Sequence, residues 1–118
     1  MTNAEREFFF VLERVVQGRH YVVPQVQLSK VIEIEKGSWQ HKYFNWINQK
    51  SVDFVLFDKT YFTPYLVIEL DEISHNAPER IKRDSFVDNV MAKAGMRIEH
   101  IRTAKEYNFE AITKLLYG

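Results

Sequence analysis

The chain has 118 residues, 46% of them hydrophobic and 27% charged, which is enough for one packed domain over residues 1–118 and too little for two. Sixteen basic and sixteen acidic side chains cancel, so no net positive field marks a sequence-indifferent nucleic-acid coat; an enzyme with a local basic groove beside an acidic centre stays compatible. No apolar run approaches the roughly 20 residues of a membrane span, no signal-peptide pattern is recognisable, and the lack of cysteine removes disulfides, thiolate-bound zinc and a thiol nucleophile. A cytoplasmic location away from membranes is the expectation.

Phe8, Val11, Leu12 and Val15 recur at helical spacing and predict a helix from Thr2 to Gln17. Thr2 is placed to cap it, with Glu5 completing a capping box and Gly18 ending it. Tyr21 to Leu28 is strand-like, and Pro24 points to an edge position or a bulge. Ser29 to Lys50 is less legible: Val31, Ile32 and Ile34 suit an extension of the strand, while Trp39, Tyr43, Trp46 and Ile47 fall at helical spacing behind Ser38. Val52–Phe57 and Tyr65–Leu70 are nearly continuous apolar runs, as in strands covered on both faces, and the stretch from Asp58 to Pro64 between them is of hairpin length. Pro78 to Ala94 reads as a helix stopped by Gly95. Met96 to Ile101 reads as a strand, and Lys105 to Tyr117 as a last helix. The expected order is α-β-β-β-α-β-α, an α+β fold with a mixed central sheet flanked by helices.

A loop centred on Tyr61 sets Asp58 against Pro64, Val55 against Val67 and Asp53 against Glu69. Directly opposed residues of an antiparallel pair lie close enough for like charges to destabilise, and Asp71 shares the face of Glu69. Three carboxylates are thus expected to converge among apolar neighbours. A divalent cation such as Mg²⁺ is one remedy, since it prefers carboxylate oxygens. The other is that the acids stand at strand ends in water, or pair with Lys50 and Arg80.

The segments Val52-Asp53-Phe54-Val55-Leu56, Val67-Ile68-Glu69-Leu70-Asp71-Glu72-Ile73-Ser74-His75 and Arg80-Ile81-Lys82-Arg83-Asp84-Ser85-Phe86-Val87-Asp88, followed by Ala94-Gly95-Met96, resemble a bacterial family, domain of unknown function 2726. The resemblance covers nearly the whole chain, including Ala4-Glu5-Arg6-Glu7 and Lys50. That family looks like a branch of the PD-(D/E)XK, or restriction-endonuclease-like, nucleases, near the very-short-patch repair endonucleases. The resemblance implies a restriction-endonuclease-like core, Asp53 and Glu69 as metal-binding acids, the Leu70 carbonyl as a further ligand and Glu5 as an accessory acid. The superfamily's lysine, two residues after the second acid, is replaced by Asp71, which leaves Lys50 or His75 to activate water and Asp71 itself to serve as an extra ligand.

Each supporting residue also has a plainer reading. His75 is a general base near neutral pH, or a loop residue capping the following helix. Arg80, Lys82 and Arg83 hold a phosphate backbone, or form a solvated face partly neutralised by Glu79 and Asp84. Trp39, Tyr43, Phe44 and Trp46 stack on bases, or form a satellite core. His20, His41 and His100 have no zinc-motif spacing and receive no role. The expected function is a Mg²⁺- or Mn²⁺-dependent nuclease acting on DNA, fused to or associated with other DNA-processing domains. The alternative is a catalytically inactive module of that fold that binds nucleic acid or a protein partner.

Overall fold

The computed structural model describes residues 1–32, 44–72 and 87–118. The first helix, α1, spans Asn3–Val16 and has the expected capping box: Glu5 N–H donates to Thr2 Oγ1 at 3.1 Å, and Thr2 N–H donates to Glu5 Oε1 at 3.2 Å. It ends where Gln17 and Gly18 both adopt left-handed backbone, Gly18 at no steric cost. Strand β1 spans His20–Gln27. A 3₁₀ turn, Leu28–Lys30, follows it, so the suggested strand extension through Val31 and Ile32 does not form. Helix α2 (Phe44–Gln49) precedes β2 (Ser51–Asp58) and β3 (Pro64–Asp71); helical residues 87–93 form α3; then come β4 (Ile98–Arg102) and α4 (Phe109–Tyr117).

Helix α4 starts later than Lys105 because Asn108 caps it, its side chain accepting from Ala111 N–H at 3.0 Å. The start of the helix expected from Pro78, the Ser38 cap, Ile34, Trp39 and Tyr43 all lie outside the described residues.

The sheet has four strands in the order β1-β2-β3-β4. The first two pairings are antiparallel, and β4 joins β3 parallel on the far side of α3. A parallel neighbour requires a crossover connection, and α3 lies within it. Pro24 sits in the edge strand β1, where its missing N–H is tolerated. Gln25 beside it takes φ 51 and drops out of the pairing register.

Strand alternation gives the sheet two buried faces. Phe54, Leu56, Leu66, Ile68 and Leu70 pack with Phe8, Leu12, Val15 and Val16 of α1 and with Ile112 and Leu116 of α4. Val55, Phe57 and Val67 pack on the other face with Val87, Val90 and Met91 of α3, Ile47 of α2, Leu28 and Ile32. Each fully buried Leu, Val or Phe contributes about 1.5–3 kcal/mol over its exposed state. This double cover explains why β2 and β3 are apolar at consecutive positions. The chain is therefore an α+β fold with a four-stranded mixed sheet flanked by helices. Among the described residues, no helix is long and apolar enough to cross a membrane.

Candidate functional site

Strands β2 and β3 pair at Leu56↔Leu66, Val55↔Val67 and Phe54↔Ile68, the register expected from the sequence. At the hairpin end that register shifts: Phe57, not Asp58, faces Pro64. The cause is local. Asp58 Oδ2 accepts the Tyr61 N–H at 2.7 Å, and Phe62 takes φ 55, so the loop closes earlier and the Asp58 N–H donates to the Thr63 carbonyl.

At the opposite end, pairing stops at Phe54↔Ile68, one step before Asp53 and Glu69. The next rung of the ladder would join Leu70 to Val52. Instead, Asp53 Oδ2 accepts the Leu70 N–H at 2.8 Å. A carboxylate therefore holds the two strands together where the backbone ladder ends. In an extended strand the N–H and C=O of one residue leave on the same edge, so the Leu70 carbonyl also emerges on the Asp53 side. Asp53 and Glu69 are half-buried between the buried residues Val52, Phe54, Ile68 and Leu70.

Asp71, the last residue of β3, is also half-buried. Its backbone carbonyl accepts from Thr103 N–H at 2.9 Å, which extends the β3–β4 junction. Its side chain turns toward β4, where His100 Nδ1 lies 3.2 Å from Asp71 Oδ2. The other ring nitrogen of His100 lies 2.8 Å from Asp88 Oδ1 on α3. Burial works against a charge on this ring, but the hydrogen bond and charge of Asp88, followed by those of Asp71, outweigh it. His100 therefore titrates above the ordinary 6.5.

Among the described residues, no group of three His, Cys, Asp or Glu side chains is arranged to hold a metal ion. The expected convergence of Asp53, Glu69 and Asp71 on one spot is not found. Asp53 is engaged with Leu70, and Asp71 is drawn to His100. Lys50 leads into β2, its carbonyl accepting from Leu28 N–H at 2.8 Å. Glu5 closes the capping box of α1, the helix on the opposite face of the sheet from α3. His75, Arg80, Lys82 and Arg83 lie outside the described residues.

The family described as Protein of unknown function (DUF2726) matches residues 1–116. The chain belongs to this family. No curated protein and no solved structure matches it.

In this DUF2726 domain, His100 and Asp88 are the site residues that sequence reasoning missed. His100 has no metal-ligand spacing along the chain, and its partners come from other elements. The usable signal was its place in β4. It shares a face with Ile98, and a strand reached through a crossover helix is expected to lie parallel beside β3. That pairing places His100 opposite Glu69.

Proposed function

We propose that this domain is a metal-dependent phosphodiesterase that cuts DNA, built on a restriction-endonuclease-like core. The observation that carries the reading is the placement of Asp53 and Glu69 where β2 and β3 stop pairing, with Leu70 turned toward Asp53. Carboxylate and carbonyl oxygens are the ligands that Mg²⁺ and Mn²⁺ favour. Mg²⁺ commonly takes one or two carboxylates and keeps several waters, so two acids without a third are a fitting donor set. Asp53, Glu69 and the Leu70 carbonyl would hold the cation, which supplies a lowered water pKa and neutralises charge on the phosphate.

The remaining work falls to the chain's own side chains. Lys50 or His75 takes the proton from the attacking water as its oxygen bonds to phosphorus and the bond to the leaving oxygen breaks. Arg80, Lys82 and Arg83 hold the phosphate backbone. The likeness of the two acid-bearing strands to the PD-(D/E)XK nucleases supports this assignment.

One observation favours a second reading, a catalytically inactive module that binds nucleic acid or a protein. Asp71 stands where the superfamily has its lysine and is tied to His100, leaving no three-residue metal group among the described residues. A DNA panel incubated with Mg²⁺ or Mn²⁺ separates the two. Cleavage by wild type and none by Asp53→Asn supports the nuclease; binding without cleavage under either metal hands the function to the module.

A further inference from the structure

Because Glu69 and His100 are partners across parallel strands, their side chains leave the sheet on the same face. From that position the ring reaches past Glu69 to the next carboxylate on its face, Asp71, and outward to Asp88 on α3. Ionised carboxylates only accept hydrogen bonds, so an imidazole that serves both must donate from both nitrogens and carry the positive charge. Two acids from separate elements are thereby fastened to one cation. The His100 side chain is 27% exposed and that of Asp71 36%, so neither is fully screened by water.

Without the ring, Asp71 and Asp88 would repel each other across the β3–α3 gap. Asp71 would then be free to turn along its own face toward Glu69, two residues earlier. We propose that His100 is a positioning residue of the acid site: by clamping Asp71 against Asp88, it keeps Asp71 away from the cation and leaves that place to Asp53 and Glu69. The inference rests on the metal-dependent reading above and adds a separate claim, that Asp71 is held out of the coordination sphere by a neighbouring strand. The same clamp fixes α3 to the end of β3.

The consequence has an unusual sign. Loss of a residue that merely supports the fold weakens metal binding. Loss of this clamp removes a positive charge and releases a third carboxylate, so binding tightens. In a calorimetric Mn²⁺ titration of the purified chain, His100→Ala is expected to bind about tenfold more tightly, the order of one screened charge interaction at close range. Adding Asp71→Asn to His100→Ala is expected to abolish that gain, whereas Asp71→Asn alone changes Mn²⁺ affinity little. Such a cycle isolates the coupling between the two residues. Should His100→Ala not fold, His100→Leu, which fills the space of the ring without donating to either acid, enters the same cycle.

Wild-type uptake of Mn²⁺ with unchanged or weaker binding in His100→Ala, or with simply additive effects, overturns the role of His100 and leaves the metal reading standing. A wild-type chain that takes up no Mn²⁺ overturns both.

Discussion

The Asp53 carboxylate accepts the Leu70 backbone N–H at 2.8 Å, in place of the rung that Val52 would otherwise supply. This one bond gives Asp53 a structural duty alongside any chemical one, and the two are separable by substitution. Asn keeps an oxygen that can accept the same N–H, whereas Ala leaves a buried donor unsatisfied at a cost of about 1–3 kcal/mol. Urea unfolding is therefore expected to show Asp53→Ala clearly less stable than wild type and Asp53→Asn close to it.

The chemical duty is read by metal. Ligands that bind only the folded state raise its melting temperature by mass action. Mn²⁺ at millimolar concentration is expected to raise the Tm of wild type, and Asp53→Asn and Glu69→Gln are each expected to abolish the rise. In the absence of metal, Asp53→Asn should melt no lower than wild type, because it removes one of two neighbouring negative charges and keeps an oxygen for the Leu70 N–H. A full Mn²⁺ response in Asp53→Asn would exclude this site.

A second histidine supplies a pH dependence far from the acids. His20, at the start of β1, lies with its Nδ1 2.7 Å from the Tyr117 hydroxyl and stacks on Tyr65 at 4.2 Å between ring centres. Arg19 lies over the Tyr117 ring at 3.6 Å. Burial lowers the pKa of His20. The charge of Asp58 opposes that shift and the charge of Arg19 adds to it, for a net value below 6.5. A histidine whose folded pKa is lowered favours the neutral ring. Its contribution is fully present above the unfolded value of 6.5 and is lost as pH falls through the folded value. The Tm difference between wild type and His20→Gln is therefore expected to shrink from pH 7.5 to pH 5. A difference that is flat or grows on acidification would show that the ring does not titrate in this way.

What was legible in the sequence follows from which forces were local. The centre of the β2–β3 hairpin was readable because apolar runs on a doubly covered sheet leave few registers, and Val55 does face Val67. Its tip was not, because the side chain of Asp58 and the left-handed backbone of Phe62 set the turn, and a large aromatic at positive φ is not an expectation that residue type supplies. The caps of α1 were readable at Thr2 and Glu5. The cap of α4 at Asn108 was masked by apolar and charged residues that also suit a helix. Asp53 and Glu69 were legible as neighbours because they lie one step beyond Phe54 and Ile68, the last pair of a register the apolar runs set. The His100 clamp was not, since it joins β4 to β3 and α3 through contacts that no spacing along one segment encodes.

The proton of the attacking water needs a base among the chain's own side chains. Asp71 stands where a lysine is expected and is held by His100, so it is poorly placed to carry that proton. Two candidates flank the acid pair in the chain: Lys50 before β2 and His75 after β3. A histidine base works in its neutral form, so the rate rises with pH near neutrality and then levels. A lysine base has to lose its proton before it can accept one, and the rate climbs into alkaline pH instead. His75→Ala is expected to lower turnover by roughly 10²–10⁴-fold, the usual contribution of a general base, and to flatten the profile near neutrality. Mn²⁺ affinity is expected to hold, because Asp53 and Glu69 are untouched. Near-wild-type turnover in His75→Ala, with collapse in Lys50→Ala and a profile still rising above pH 8, would assign the proton to Lys50.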